Sequence, residues 1–173
     1  MPLTGKRIAI LAEANYEDLE LWYPLLRLRE AGADTFVVGT GNESYPSKHG
    51  YIVKVDAEAD TVDAGQFDAI VIPGGYAPDR LRRYPSVLKL VKEADEQGKI
   101  IGAICHAAWV LISAQILRGR TITCVKAIKD DVINAGANYL DQEVVRDGNL
   151  ITSRTPDDLP AFGAALVSAL AEA

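Results

Sequence analysis

A chain of 173 residues can bury one sizeable core, and its formal net charge of −6 argues against a broad electrostatic footprint for nucleic acid while leaving room for a small substrate with its own basic pocket. No apolar run approaches the length of a membrane span, and Met-Pro-Leu-Thr-Gly-Lys-Arg leads straight into a strand-like segment with no signal-peptide pattern, so a cytoplasmic protein of one domain over residues 1–173 is expected. The two cysteines, Cys105 and Cys124, read as reduced thiols, because a cytosolic chain of this size needs no disulfide.

Short apolar segments alternate with longer amphipathic ones. Arg7–Leu11 reads as a strand, and Glu17–Ala31 as a helix whose apolar face carries Leu19, Trp22, Leu25, Leu26 and Leu28, with Gly32 as its stop. Pro24 inside that pattern predicts a kink or marks the helix's early turns. Thr35–Val38 is the next strand, residues 39–50 a polar excursion rich in turn formers, and Tyr51–Val55 a small alternating strand. Phe67–Ile72 reads as a buried strand ending in Pro73-Gly74-Gly75, Ser86–Gln97 as a helix closed by Gly98, and Lys99–Ile104 as the strand before Cys105. The pattern then predicts a helix over Ala107–Ile116, a strand over Thr121–Val125 and a short helix over Ile128–Ala135 ended by Gly136. Glu143–Arg146 and Leu150–Thr152 flank Asp147-Gly148-Asn149, a hairpin signal, and Leu159–Ala171 is the final helix. The alternation indicates an α/β domain with a mainly parallel sheet and helices on both faces, whose site lies beyond the carboxyl ends of the strands near the switch in strand order. Residues 12–18, residues 73–79 and the Cys105-His106 pair all fall at such ends.

Cys105 carries the strongest chemical signal. Between a buried strand and a helix it sits on a sharp turn, and the helix N-terminus aims N–H groups and partial positive charge at it. Both favour a thiolate, so Cys105 is read as a nucleophile rather than a buried structural thiol, whereas Cys124, within a strand-like run, keeps the structural reading. His106 follows at once, as a base for the sulfur or through its backbone N–H as an oxyanion donor, and Asp79 is the candidate third group that would orient it, unless it only caps the next helix. Gly74 and Gly75 permit close backbone approach to a ligand and can aim N–H groups at a developing oxyanion, although a plain tight turn uses the same pair. Glu17 is the candidate carboxyl beside the sulfur, where a neighbouring negative charge would keep it protonated. Asp18 and Glu20 better suit plain first-turn acids, and His49 a surface turn. The histidines and cysteines show no metal-ligand spacing, and neither a phosphate loop nor a dinucleotide fingerprint is present, so no metal or cofactor is expected.

Ala-Ile-Cys-His at the turn, Pro-Gly-Gly-x-Ala-Pro-Asp before the third helix, Tyr-Glu-Asp-Leu-Glu-Leu after the first strand and Lys-His-Gly-Tyr together resemble the PfpI-like intracellular protease family of the ThiJ/PfpI superfamily, which includes the parkinsonism-associated deglycase. Residues 117–136 and 143–154 match as well, so the resemblance covers nearly the whole chain. It implies a flavodoxin-like, class I glutamine amidotransferase-like sandwich, with Cys105 as nucleophile, Glu17 as the protonated partner of its sulfur and His106 as the adjacent catalytic histidine. In the protease branch the third acid comes from a neighbouring subunit. The matching position is Asp79, where that branch often carries Glu, so the resemblance implies at least a homodimer with Asp79 near a subunit boundary. The branch also tends to carry Gly-Pro where Ala107-Ala108 stand, and an aromatic at Val125.

These departures weigh against peptide hydrolysis and favour a cysteine-dependent stress-response enzyme acting on small reactive carbonyls or glycated proteins, of glyoxalase or deglycase type. A PfpI-type intracellular cysteine peptidase is the first alternative. The second is a redox-responsive stress protein working through oxidation of Cys105. Nucleic acid enters only as a modified substrate, and no membrane partner is expected.

Overall fold

The computed structural model describes every residue from Met1 to Ala173. In chain order the elements are β1 (Arg7–Leu11), α1 (Asp18–Glu30), β2 (Asp34–Gly39), β3 (Ser44–Pro46), β4 (Ile52–Lys54), β5 (Ala57–Glu58), β6 (Ala69–Ile72), α2 (Ala77–Leu81), α3 (Pro85–Glu96), β7 (Ile100–Ile104), α4 (Ala108–Ser113), β8 (Thr121–Ile122), α5 (Lys129–Asn134), β9 (Asn138–Tyr139), β10 (Val145–Asp147), β11 (Leu150–Ser153) and α6 (Leu159–Glu172). Seven strands form the central sheet in the order β10-β11-β7-β6-β1-β2-β5. All neighbours are parallel except β10, which turns back on β11 through the predicted hairpin.

Every residue of β6 and β7 is buried, which is why these segments read as unbroken apolar runs rather than alternating ones. Helices α1 and α6 pair on one face of the sheet, and α3 and α4 pair on the other. This is the α/β domain with a mainly parallel sheet that the alternation predicts, arranged as the flavodoxin-like sandwich that the resemblance implies. Gly102, in the middle of β7, lets α6 settle close: a Cβ there would lie 2.8 Å from Leu166 Cδ2 and 3.1 Å from Phe162 Cζ. At the other end of the strand, Arg120 gathers Asp95 (3.1 Å), the Asp147 carbonyl (2.7 Å) and Asn149 (2.9 Å), tying the end of α3 to the hairpin.

Strand order reverses at β1, whose chain continues to β2 on one side and later returns as β6 on the other. The segments leaving β1, β6 and β7 therefore meet at one edge of the sheet, as expected at a topological switch point. The elements differ from the sequence pattern in two places, the strand after α4 and the polar excursion before β4, while α1 runs on through Pro24 over the span expected of it. The strand expected over Thr121–Val125 is only β8 and pairs with β9 outside the main sheet, since beyond Ile122 the Thr123 N–H donates to a side chain, Thr152 Oγ1 (2.9 Å), rather than to a strand backbone. Pro24 does not end α1, which runs through it with the ring buried. The polar excursion contains β3, which pairs with β4 in a small hairpin of its own.

Because Phe162 is fully buried between α6 and the nucleophile strand, Phe162→Ala is expected to lower unfolding free energy by about 3–5 kcal/mol. Denaturant melts check this, and a loss under about 1 kcal/mol would mean that the contact with β7 is not a main support.

Candidate active site

Strand β7 ends in extended backbone at Ile104, and Cys105 then takes φ +62°, a left-handed conformation that side-chain-bearing residues rarely adopt. A single 3₁₀ turn over Cys105–Ala107 leads directly into α4. That reversal holds the half-buried thiol over the sheet edge, and such strain is characteristic of functional turns. His106 reaches back to the sulfur: its Nδ1 lies 3.3 Å from Cys105 Sγ, and its ring stands edge-on to Trp109 with centroids 5.1 Å apart. Of the two roles considered for His106, base and backbone donor, the geometry permits both, since its N–H also faces the sulfur.

The carboxyl beside the sulfur belongs to Glu20, not to Glu17. Glu17 is the N-cap of α1, accepting the Glu20 N–H at 2.9 Å while its own N–H donates to the Gly74 carbonyl at 3.1 Å. Capping turns the Glu17 carboxylate back onto the helix end. Glu20, one turn in, is fully buried and faces Cys105; its Oε2 accepts the Gly74 N–H at 2.8 Å and its Oε1 has no partner. The overlooked signal is periodic: Glu20 shares the buried stripe of α1 with Leu21, Pro24, Leu25 and Leu28, where a carboxyl needs a reason to be.

Gly74 and Gly75 make this approach possible. A Cβ at Gly74 would run into Glu20 Oε2 and lie 2.7 Å from Cys105 Cβ. Gly75 has φ +77°, and a Cβ there would strike the Glu17 nitrogen and lie 2.7 Å from the Asn15 carbonyl oxygen. The Gly75 N–H, with that of His106, is turned toward the sulfur. Asp79 is exposed in the first turn of α2 and makes no hydrogen bond to His106 within the chain.

Burial, reinforced by the charge of Glu17, pushes Glu20 up to about 8. Burial and then the Glu20 carboxylate push the Cys105 thiol up to about 12, against the pull of the His106 and Gly75 N–H groups. The resting thiolate expected from the helix N-terminus is thus not what this environment favours, because desolvation outweighs the donors. The chain instead holds a thiol beside a carboxyl that keeps its own proton below about pH 8. Burial, helped by the positive charge of Lys48, lowers His106, so its ring is neutral at pH 7 and able to accept a proton.

His49, expected as a plain surface residue, fastens the neighbouring hairpin loop. Its Nδ1 lies 2.8 Å from Asp18 Oδ1, while Ser47 Oγ donates to Asp18 Oδ2 at 2.6 Å and accepts the N–H groups of His49 (3.1 Å) and Tyr51 (2.9 Å). Burial opposes the charge of Asp18, but these bonds outweigh it and hold its carboxylate below the ordinary range. Cys124 is buried away from solvent, as its strand-like setting suggests.

Comparison with known proteins gives one consistent picture. A family model described as the DJ-1/PfpI family matches residues 6–169. Deglycase PfpI of Pyrococcus furiosus is 42% identical over 156 residues, which covers 90% of this chain and 94% of that protein. Protein/nucleic acid deglycase 2 of Escherichia coli (strain K12) is 42% identical over 161 residues, 91% of this chain and 94% of that protein. Among solved structures, Drosophila melanogaster DJ-1beta superposes with a TM-score of 0.91 at 29% identity, covering 97% of this chain and 91% of that one. A two-domain protein from Anabaena variabilis, with DJ-1/ThiJ/PfpI-like and ferritin-like domains, superposes with a TM-score of 0.94 at 47% identity; the match covers 95% of this chain but only 48% of that longer one.

Glu20 also leaves a thermodynamic signature. Its pKa is raised on folding from an ordinary 4.5 to about 8, so between those values the folded state keeps a proton that the unfolded state has released. Stability therefore falls as pH rises through that window, by up to about 1.4 kcal/mol per pH unit. Glu20→Gln, which cannot titrate, should remove this slope. Denaturant unfolding at about pH 5 and about pH 8 checks it, and parallel profiles for variant and wild type would show that Glu20 does not hold this proton.

Proposed function

The chain belongs to the DJ-1/PfpI family, and from that premise and the geometry at Cys105 we propose that it is a cysteine-dependent enzyme of reactive carbonyls, converting 2-oxoaldehydes such as methylglyoxal to hydroxy acids and reversing early carbonyl adducts on proteins. The observation that carries the reading is the sulfur's position between a neutral histidine nitrogen at 3.3 Å and a buried carboxyl that retains its proton.

In this reading His106 Nδ1 takes the thiol proton as Sγ adds to the aldehyde carbon, forming a hemithioacetal. The Gly75 and His106 N–H groups donate to the developing oxyanion. A proton then leaves C1 and another is delivered to C2 through an enediol, with His106 and Glu20 as the groups that move them, leaving a hydroxyacyl thioester. Water hydrolyses the thioester, releasing the hydroxy acid and restoring the thiol. The aldehyde carbon is oxidised as the adjacent ketone carbon is reduced, so no external oxidant or reductant is consumed. With hemiaminal adducts on protein amines, the amine leaves with a proton as the hydroxyl gives up its own and the aldehyde carbonyl re-forms, and the sulfur then adds to that carbonyl as above.

Self-association is part of the proposal. His106 Nε2 makes no hydrogen bond within the chain and Asp79 is exposed, so a second copy is the means by which a carboxylate would meet the histidine. Sedimentation at micromolar concentration tests this, and a persistent monomer would remove that route to a complete triad and with it the peptidase alternative.

The main test is lactate formation from methylglyoxal by the freshly reduced protein. Cys105→Ala should fall to the uncatalysed background, and His106→Gln should lose about 10²–10⁴-fold. The pH profile of kcat/KM should have its acid limb below the ordinary histidine value of 6.5 and its alkaline limb near about 8, the latter absent in Glu20→Gln. Absence of turnover by the reduced wild type would overturn the carbonyl reading.

A further inference from the structure

Lys48 is held in place by its backbone and left free at its side chain. Its N–H donates to the Tyr16 carbonyl at 2.9 Å, between Ser47 and His49, both bound to Asp18. Tyr16, in turn, is bridged to Gly75 and donates its hydroxyl to the Tyr51 carbonyl at 2.6 Å. The loop is therefore fastened on both sides of Lys48 to the segment that also positions Gly74 and Gly75. The lysine side chain is exposed, and none of the chain's ion pairs includes it. Its Nζ stands 5.9 Å from the centroid of the Tyr76 ring, one residue beyond Gly75, and its charge is felt by both His106 and Glu20.

We propose that Lys48 is an anion subsite at the mouth of the site, selecting substrates in which a carboxylate is tethered a few bonds from the carbonyl carbon that Cys105 attacks. This rests on the carbonyl reading above. A single ammonium is a point charge without the fork that grips a phosphate bidentately. The fastened loop presets the lysine's direction, which lowers the ordering cost of binding.

Two measurements separate this subsite from the reaction itself. The first is alkylation of Cys105 by iodoacetate and by iodoacetamide, followed at that residue by peptide mass measurement. One reagent carries a carboxylate and the other a neutral amide, so the ratio of their rates reads the field at the sulfur independently of turnover. Lys48→Met should lower the iodoacetate-to-iodoacetamide ratio by about ten-fold, Lys48→Arg should keep it within about two-fold of wild type, and high salt should compress the wild-type ratio. The second is the ratio of kcat/KM for 4,5-dioxopentanoate, a 2-oxoaldehyde with a carboxylate, to that for methylglyoxal, which should fall in the same order. Equal changes for charged and neutral partners, or no change for either, overturn the subsite. A wild type that turns over neither carbonyl, with the alkylation ratio still dependent on Lys48, overturns the reaction and upholds the subsite.

Discussion

A carboxyl group without access to water sits at the centre of this molecule's chemistry. Glu20 is fully buried, with one backbone N–H for one oxygen and nothing for the other. A buried carboxylate satisfied so sparingly is costly, and the group meets that cost by keeping its proton. The surroundings are arranged around it. Gly74 has no side chain because one would occupy the space of Glu20 Oε2 and crowd Cys105, and α1 begins where it does because Glu17 caps it and leaves Glu20 facing inward. An alkyl side chain at position 20 would leave the buried Gly74 N–H without a partner, so the carboxyl holds the turn after β6 as well as facing the sulfur.

The sheet supplies the second constraint. Three left-handed residues, Asn15, Gly75 and Cys105, lie in the segments that leave β1, β6 and β7. Asn15 accepts the Tyr76 N–H at 2.9 Å through its carbonyl and gives its own N–H to the Pro46 carbonyl at 2.8 Å, so the strained turns brace one another. Strain of this kind persists only where packing over-determines it, and here it rests on completely buried strands on either side. The rigid edge holds His106 close to a sulfur in the preceding residue, a contact that neighbouring side chains on an ordinary strand, pointing to opposite faces, do not make.

Local patterns revealed the sheet strands, the hairpin and the nucleophile turn, because each depends on burial or turn chemistry written into a few adjacent residues. Long-range geometry was less legible. The sequence points to Glu17 as the carboxyl beside the sulfur and to Glu20 as a plain first-turn acid, and only the registration of α1 against the loop after β6 makes Glu17 the cap and turns Glu20 to the thiol. Pro24 stands in the early turns of α1, where its missing N–H affects only the Glu20 carbonyl, and the helix runs through it with the ring buried. The Asp18–Ser47–His49 fastening was hidden because it joins residues about thirty positions apart through side chains that each look like solvated turn residues. The thiol's protonation was misjudged for a related reason: partial charge at a helix start is visible in sequence, whereas desolvation by the completed fold is not.

That protonation bears on which chemistry the site suits. Peroxide attacks a thiolate, and a sensor thiol is useful when its anion is populated at rest. Here burial keeps the proton on Cys105 until a base removes it, and the adjacent His106 ring is neutral and within reach. In the proposed reaction a carbonyl oxygen lodged between the Gly75 and His106 N–H groups would receive the charge as the sulfur loses its proton, so the anion would not stand alone in a desolvated pocket. A thiol held by burial beside a neutral histidine and a protonated acid supports the addition to a bound carbonyl proposed above.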